Sequence, residues 1–412
     1  MRSLLLITPL LLLCSCSEFL AEREIPCAAT PAAWKHASEI VPEVPTWNAF
    51  GDEQLLSLID QAIEANQDLA QAEARIRQAR AAACEARAGI FPQPQFLPGA
   101  TLTRFSENVA FGNFGQGGRW NQQFQTPFSL SYEPDLWGRL RNTARSAFEE
   151  ADAAGADFCA ARLLLAANIA GTYFQWQSLK SQQQLLDDTV TSREKSYDLL
   201  KKRFEAGLED QEASAQARLE IATARSDSAL VTPQLARAAN ALAILCGQPP
   251  GCFCALGHCA LRIPPSPRPN LPAEVICRRP DVAAALSRIR STVADEQVAK
   301  AAYFPALQLT GTAGQESEYM VNLLDAGSFA ARFVPSISIP MPDAGRRNAR
   351  LERARGKYDE ALASWRQTLL VALREVEDSL ASADGSRTIL ARLDEAEKAA
   401  RDYVSIVETR YQ

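Results

Sequence analysis

The strongest constraint on the fold is an internal duplication of the sequence. Segment 67–92 aligns without a gap with segment 280–305, at a constant offset of 213 residues. Identical pairs in this alignment include Asp68 and Asp281, Arg75 and Arg288, Ile76 and Ile289, Arg77 and Arg290, Phe91 and Phe304, and Pro92 and Pro305. Past the next predicted hairpin the offset settles near 207, where Gly138 pairs with Gly345. One structural unit is therefore used twice in the chain.

Long helices are predicted in both copies. Apolar residues recur at alternating spacings of three and four over 55–90, which predicts an uninterrupted coiled-coil seam. The seam consists of Leu55, Leu58, Ala62, Ala65, Leu69, Ala72, Ile76, Ala79, Ala83, Ala86 and Ile90. Segment 136–205 keeps a helical pattern without any proline and would extend about 100 Å as one helix. Gly207 ends it, and 212–245 is predicted to return as a second helix.

Four segments between the helices have the alternating pattern of β-strands. They are 100–105, 124–132, 306–313 and 333–339, one pair in each repeat, joined by long loops at 108–119 and 315–328. Four strands cannot close a membrane barrel, because an open sheet edge cannot face lipid. Two chains would give eight strands and a filled interior, whereas three would give twelve and leave a passage. The strand pattern therefore predicts a trimer with one shared barrel.

The N-terminus has the features of a bacterial secretion signal. An apolar run at 4–13 follows Met1 and Arg2, and the string LCSC at 13–16 matches the lipobox pattern. We expect 1–15 to be a signal peptide and Cys16 to carry lipid after cleavage, with Cys14 as the alternative. Charges or prolines interrupt the later apolar stretches, so a mature chain that crosses a membrane is expected to do so with strands.

Composition and motifs argue against several other classes of protein. The chain has 43 Lys plus Arg against 49 Asp plus Glu, a net charge of −6, which excludes a strongly basic nucleic-acid binder. It has two histidines and no HExxH, GxSxG or P-loop string. We therefore expect no catalytic residue, no metal site, no cofactor and no nucleic-acid partner.

Five of the ten cysteines lie between 246 and 277, around the connection between the two repeats. Disulfides are the favoured interpretation of the cluster there, with a zinc site or unpaired thiols as alternatives, since the spacing lacks paired CxxC motifs. This cluster contains Cys246, Cys252, Cys254, Cys259 and Cys277, with His258 beside them. Cys84 and Cys159 are assigned to helical seams and are expected to be packing residues.

Five strings of the sequence carry a resemblance to a known family. They are SYEPDLWGRLRN at 131–142, CRRPDVAAAL at 277–286, AAYFPALQLTG at 301–311, SIPMPDAGRRNARLERA at 338–354 and EVEDSLA at 375–381. In wording, order and spacing they resemble the TolC-like outer-membrane efflux channels, and among these the NodT-type lipoproteins. The Arg pair in CRRPDV is expected to take part in a helix cap and a salt bridge with Asp281 rather than to bind an anion.

The resemblance implies a mainly α-helical chain with transmembrane β-strands. Three such chains would form a twelve-stranded outer-membrane barrel continued by a periplasmic α-helical barrel. The implied function is that of a passive exit duct for small molecules in a tripartite efflux system, of the type I secretion or RND-like kind. The implied partners are two further copies, outer-membrane lipid, a periplasmic adaptor of the membrane fusion protein class and an inner-membrane pump. The alternatives are a lipid-anchored periplasmic coiled-coil scaffold or adaptor, or a truncated channel without function.

The resemblance also assigns a docking site. In the family, the turn of the first long helical hairpin lies at the periplasmic tip and meets the adaptor. Here Arg203, Gly207, Leu208 and Asp210 match the family's tip pattern. We expect Gly207 to adopt a left-handed helix end, Asp210 to cap the returning helix, and Leu208 to be an exposed apolar contact.

The domain organisation follows from the repeat. We expect an N-terminal lipid-anchored extension at 16–50, a first repeat at 51–246, a linker rich in Pro and Cys at 247–280, and a second repeat at 281–412. Arg410 aligns with Arg203, so the second repeat is expected to stop before its tip turn and last helix. No residue of the channel entrance is assigned for this reason.

Overall fold

The computed structural model describes residues 19–26, 31, 47–104, 120–208, 210–251, 257, 276 and 278–411. The chain divides into two compact units. Unit 1 consists of Met1–Ala28, Ile76–Ala154 and Ala284–Thr368, and unit 2 of Ala29–Arg75, Gly155–Ala283 and Leu369–Gln412. Neither unit coincides with one sequence repeat, because each takes pieces from both copies.

Six helices account for most of the described residues. They are α1 Glu53–Ala65, α2 Gln67–Ala88, α3 Arg139–Glu205, α4 Gln211–Leu245, α5 Pro280–Ala301 and α6 Arg346–Tyr411. α3 has 67 residues and α6 has 66, so each is about 100 Å long. The predicted long helix and its returning partner are thus confirmed.

The first helical segment is interrupted, contrary to the prediction of one continuous seam. Asn66 has an extended backbone, with φ −68° and ψ 127°, and separates α1 from α2. Its Oδ1 accepts hydrogen bonds from the backbone N–H groups of Asp68 at 2.9 Å and Leu69 at 3.1 Å. Asn competes for backbone partners in this way and favours helix starts over helix interiors. The apolar spacing passes through the break unchanged, and every seam residue is buried or half-buried.

Unit 2 has a conventional hydrophobic core where α1, α3 and α4 meet. Leu55, Ala62, Ile169, Tyr173 and Leu242 are fully buried there. The Tyr173 hydroxyl donates to Asp52 Oδ2 at 2.7 Å, and Asp52 Oδ1 caps α1 by accepting from the N–H groups of Gln54 and Leu55.

One 18-residue stretch of α3 passes the test for a membrane-spanning helix by length and composition alone, among the residues described. The expectation that all later apolar stretches are interrupted was therefore too strict. The part of α3 in the core of unit 2 buries Leu165, Ile169 and Tyr173 against other helices. These three side chains are packed against protein within the chain.

The described strands form one antiparallel sheet in unit 1. They are β1 Gln93–Phe96, β2 Gly99–Arg104, β3 Trp120–Tyr132, β4 Ala306–Ser317 and β5 Phe329–Ser338. β1 and β2 both pair with β3, which pairs with β4, which pairs with β5. Each repeat therefore contributes one pair of strands, as predicted, except that the first strand of the first repeat is divided into β1 and β2.

The strands of the second repeat are longer than the sequence predicted. β4 continues to Ser317, three residues into the segment expected to be a loop, and β5 begins at Phe329, four residues before its predicted start. The remaining connection contains two short 3-10 turns, Met320–Asn322 and Ala326–Ser328. The other predicted loop, 108–119, lies outside the described residues.

Candidate functional site

The sheet has one mainly apolar face and one mainly polar face. Directly paired residues point to the same side of an antiparallel sheet, so the register assigns each side chain to a face. The apolar face carries Phe96, Leu102, Trp120, Phe124, Phe128, Leu130, Leu307, Leu309, Phe329, Phe333 and Ile337. The polar face carries Gln95, Thr101, Thr103, Gln123, Gln125, Ser129, Ser131, Gln308, Thr310, Thr312, Arg332 and Ser336. The predicted alternation at 128–132 is confirmed.

Neither face is covered by the chain itself. No residue of the described strands is buried, and the apolar side chains of Phe128 and Phe333 are 52% and 69% exposed. A continuous apolar surface of this kind is stable against lipid, whereas the polar face is stable against water. The sheet therefore has the surface chemistry of a membrane barrel wall with an aqueous interior.

The same kind of turn connects the last strand of each repeat to the long helix that follows it. Before α3, Asp135 accepts hydrogen bonds from the N–H groups of Leu140 at 3.2 Å and Arg141 at 2.8 Å, and Gly138 has φ 78°. Before α6, Asp343 accepts from the N–H of Arg347 at 3.2 Å, and Gly345 has φ 88°. Left-handed backbone at these glycines turns the chain sharply, and the carboxylate caps the new helix.

Only the first repeat strengthens this turn with an aromatic residue. The Trp137 indole donates to the Pro305 carbonyl at 2.7 Å and stacks on Phe304 at 4.6 Å between ring centroids. The string SYEPDLWGRLRN thus contacts the string AAYFPALQLTG at the end of α5. Two of the motifs that carry the family resemblance therefore form one structural joint.

Residues 19–24 are bound to the helices of unit 1. Phe19 packs edge-on against Tyr303 and Phe304, with ring centroids 5.6 and 6.0 Å apart. Lys300 Nζ donates to the Ala21 carbonyl at 2.9 Å, and the Tyr358 hydroxyl donates to the Glu24 carbonyl at 3.2 Å. The predicted lipidation residue, Cys16, lies outside the described residues.

A buried carboxylate anchors this N-terminal segment. Glu296 is 3% exposed at its side chain and lies 3.2 Å from Arg23, 3.5 Å from Lys300 and 3.7 Å from Arg355. A buried charge without partners is costly, so the Arg23 guanidinium helps to compensate Glu296 when the segment is bound. The Arg23 guanidinium also lies over the Tyr358 ring at 4.7 Å.

Arg279, the second arginine of CRRPDV, forms the salt bridge with Asp281 that was predicted. Arg279 forms a two-pronged hydrogen bond with Asp281 at 3.1 and 2.8 Å and a further one with Glu375 at 2.7 Å. The hydrogen bond from Arg279 lowers the pKa of the Asp281 carboxyl, and Asp281 in turn raises the pKa of Arg279. The contact joins the start of α5 to α6 in unit 2, and it connects the CRRPDV and EVEDSLA strings.

The predicted tip turn has a well-defined helix end. Gly207 has φ 73°, its N–H donates to the Phe204 carbonyl at 2.9 Å, and the Leu208 N–H donates to the Arg203 carbonyl at 2.9 Å. This pair of bonds is a Schellman motif, which a left-handed glycine permits. The Leu208 side chain is 70% exposed, as expected for a contact surface.

Asp210 does not cap the returning helix in the way predicted. It occupies the N-cap position of α4 with extended backbone, but its side chain accepts no capping hydrogen bond. The favourable effect of Asp210 on α4 is thereby limited to its charge near the positive end of the helix dipole.

The described cysteines differ from two predictions. Cys246 is a free thiol, fully buried at the end of α4, and burial raises its pKa. Its expected disulfide is absent, whereas Cys252, Cys254, Cys259, Cys277 and His258 lie outside the described residues. Within the single chain, Cys84 and Cys159 are exposed and not packed in a core, since Cys84 follows the seam residue Ala83 and points off the seam. Among the described residues, no group of three or more His, Cys, Asp or Glu side chains could hold a metal.

These surfaces define the class of the protein as an outer-membrane channel built from β-strands and long helices. The model of the family described as "Outer membrane efflux protein" matches residues 58–248 and 271–412. The chain belongs to the outer membrane efflux protein family. The resemblance found in the five sequence strings is thereby confirmed.

Relatives and solved structures agree with this assignment. Outer membrane protein OprJ of Pseudomonas aeruginosa is 31% identical, over 94% of this chain and 82% of the relative. Probable outer membrane lipoprotein SilC of Salmonella typhimurium is 28% identical, over 92% of this chain and 83% of the relative. The crystal structure of a membrane protein from Pseudomonas aeruginosa has a TM-score of 0.84 and 30% identity, covering 95% of this chain and 90% of that chain.

The fold and the function follow from the family. Three chains share a twelve-stranded outer-membrane barrel continued by a periplasmic helical barrel, as the strand number predicted. The protein is the outer-membrane channel of a tripartite efflux system, a passive exit duct for small molecules. The apolar face of the sheet faces lipid, and the polar face lines the lumen.

Two lumen residues were missed by the sequence analysis. Glu316 was placed in a predicted loop, and Arg332 preceded the predicted start of the last strand. The signal was present, because the apolar alternation of Phe333 and Ile337 continues back through Ala331 to Phe329. Extending that pattern by two periods would have placed Arg332 on the polar face.

Proposed function

We propose that this channel docks a periplasmic adaptor through the turn at 203–210 and is anchored by lipid on Cys16. The observation that carries the docking site is the Schellman turn at Gly207, which leaves Leu208 70% exposed beyond the end of α3. A rigid turn presents its apolar side chain without an ordering cost, and exposed apolar groups favour protein contact. The adaptor would in turn connect the channel to an energised inner-membrane pump.

The docking site can be tested with two substitutions of one residue. Leu208→Glu places a charge in the proposed contact, whereas Leu208→Met keeps an apolar group of similar size. In a strain of the native bacterium that lacks the chromosomal copy, we expect Leu208→Met to restore efflux of a fluorescent pump substrate and Leu208→Glu to fail. Both variants should give normal trimers by native mass spectrometry, because Leu208 makes no core contact.

Cross-linking gives an independent readout of the same contact. A photoreactive benzoyl-phenylalanine at position 208 is expected to capture a periplasmic protein that mass spectrometry identifies as an adaptor. Full efflux by Leu208→Glu together with no adaptor cross-link would overturn the docking site. The assignment of the chain as an efflux channel would be unaffected by that result.

The lipid anchor is supported by the position of residues 19–24. Phe19 packs on Tyr303 and Phe304, two and one residues before Pro305 and next to the start of β4. Cys16 is three residues before Phe19 in the sequence, so its Cα lies within about 11 Å of that of Phe19. A lipid attached to Cys16 would then be near the end of the strands from which the long helices begin, where a lipid chain can enter the membrane.

Metabolic labelling identifies the modified residue. Cells producing the chain would be fed an alkyne fatty acid, and the purified protein would be examined by peptide mass spectrometry. We expect Cys16→Ser to abolish labelling and Cys14→Ser to leave it intact. The opposite pattern would move the anchor to Cys14, and labelling of both variants would overturn a single site.

We also infer that the protein itself catalyses no reaction. The family consists of channels, and the chemistry of the two-faced sheet and the docking turn accounts for conduction and partner contact. The selection of substrates is then divided between the pump and the surfaces that a solute meets in the lumen.

A further inference from the structure

The lumen face of the sheet carries two isolated charges at different levels. Among the polar-face positions of the described strands, Arg332 is the single cation and Glu316 the single anion. Arg332 pairs with Thr312 across the β4–β5 ladder, and Glu316 lies four residues further along β4 toward the 318–328 connection. At about 3.3 Å per residue, the two levels are separated by about 13 Å along the strand.

Between the levels of the two charges, the lumen face of the sheet has a recess at Gly314. This residue faces Pro127 across the β3–β4 ladder, and a Cβ added to it would lie 2.2 Å from the Thr126 carbonyl oxygen. No larger residue fits there, so no side chain projects into the lumen from β4 between Thr312 and Glu316. The cavity that results is lined by Gln123, Gln125, Thr312, Glu316 and Arg332.

The two charges differ in their surroundings. The Glu316 carboxylate accepts a hydrogen bond from the side-chain amide of Gln123. Arg332 is exposed on the lumen side of β5, and its neighbours across the ladder and along the cavity are uncharged apart from Glu316. Three chains around one lumen repeat each charge three times at one level.

We propose that Arg332 forms a cationic ring in the barrel lumen that favours solutes carrying an anionic group, such as a carboxylate, sulfonate or phosphate. Rings of like charge on a low-dielectric wall raise the local concentration of counter-ions and set the selectivity of a pore. β4 begins just after α5 and β5 ends just before α6, so Ala306 and Ser338 lie at the helix end of the sheet. A solute that moves outward from the helices therefore passes the level of Arg332 before that of Glu316. This selectivity rests on the channel function already assigned to the chain.

A thiol beside Arg332 can report the local potential. Thr312→Cys would be made in a chain carrying Cys84→Ser and Cys159→Ser, since both native thiols are exposed. Its reaction from outside with anionic sulfonatoethyl and cationic trimethylammonioethyl methanethiosulfonates would be compared. In each reaction the thiolate attacks the thiosulfonate sulfur, forms a mixed disulfide and releases methanesulfinate. The ratio of the anionic to the cationic rate measures the potential at this level and does not depend on the state of the periplasmic entrance.

The ratio is expected to follow the charge at position 332. Arg332→Gln should lower it about threefold to tenfold at low salt, Arg332→Glu should lower it further, and Arg332→Lys should leave it nearly unchanged. The effect should shrink as salt is raised. Arg104→Gln is the matched control, because Arg104 pairs with Trp120 on the lipid-facing side of β2. It makes the same change in net charge and should leave the ratio unaltered.

Three results would overturn the proposal. If Arg104→Gln changed the ratio of the two rates as much as Arg332→Gln, Arg332 would not set the lumen potential. The same conclusion would follow if Arg332→Glu left the ratio unchanged in a trimer of normal mass. A Thr312→Cys thiol that neither reagent modifies would remove this face from the lumen. The same chain without Thr312→Cys gives the background from the remaining cysteines, so each outcome is assigned to position 312.

Discussion

The core of unit 2 and the sheet of unit 1 use apolar residues in opposite ways. In unit 2, Leu55, Ile169, Tyr173 and Leu242 are removed from water by other parts of the same chain. In the sheet, the aromatic residues of the apolar face stay exposed, and Phe333 is 69% accessible. Both regions have comparable apolar side chains, so the difference lies in what covers them.

This difference separates two requirements for a functional channel. The helical core can form within one chain, because its hydrophobic burial is satisfied internally. The sheet has open edges at β1, β2 and β5 and an uncovered apolar face, which neighbouring chains and lipid must complete. We therefore expect substitutions in the core to reduce the stability of each chain, and substitutions in the sheet to affect membrane assembly.

The largest effect is expected from a cavity in the helical core. Leu242→Ala removes a fully buried side chain and should lower the free energy of unfolding by about 2–5 kcal/mol. Leu230→Ala is the matched control in the same helix, since Leu230 is 61% exposed, and it should cost less than about 1 kcal/mol. Denaturant unfolding followed by far-ultraviolet circular dichroism measures both. Equal losses at the two positions would contradict the assignment of the core.

A smaller effect per chain is expected from a charge on the lipid-facing side of the sheet. Phe128→Arg should cost about 2–4 kcal/mol if the position lies near the bilayer midplane. Ser129→Arg introduces the same side chain one residue later on the polar face, where water solvates it. Heat-modifiable trimer in the outer-membrane fraction should fall for Phe128→Arg and stay normal for Ser129→Arg. Loss of trimer in Ser129→Arg alone would reverse the assignment of the two faces.

The two regions were also predictable from the sequence to different degrees. Alternation such as Phe128, Ser129, Leu130 is a local signal with a period of two, and it identified the strands and the trimer. The start of β5 was missed, because Ala330 and Ala331 keep the alternation but are too small to mark it strongly, and the end of β4 was missed, because Gly314, Gln315 and Glu316 show no apolar alternation. As a result Glu316 and Arg332, the charged lumen residues, were not recognised.

In the helical region, periodicity predicted the elements but not their polar contacts. The sequence correctly predicted which residues of the seam at 55–90 are buried or half-buried, but it wrongly predicted one continuous helix. The hydrogen bonds of Asn66 start a new helix at that point, although the apolar spacing continues through it. Cys84 was assigned to the seam although it lies one position beyond Ala83. The Arg279–Glu375 contact joins residues that are 96 positions apart. Nothing in CRRPDV or in EVEDSLA indicates that these two strings contact each other. Long-range polar pairing requires the three-dimensional structure.

The smallest effect concerns this polar contact between α5 and α6. Asp281→Asn removes the ion pair with Arg279 and should lower stability by less than about 1 kcal/mol at neutral pH, because the pair is partly exposed. Arg279 lowers the pKa of Asp281 from its ordinary value of 3.8, so the folded state binds this proton less tightly than the unfolded state. The contribution is therefore fully present above pH 3.8 and is lost as the pH falls through the lower folded-state value.

The matched control for this contact is Asp378→Asn. Asp378 is 75% exposed and lies 3.9 Å from Arg374, so its removal should leave the unfolding midpoint unchanged at every pH. The measurement is the difference in midpoint between wild type and each variant from pH 7 to pH 2. We expect the Asp281→Asn difference to converge to zero at the acidic end. A difference that persists there would show that Asp281 acts through packing rather than through its charge.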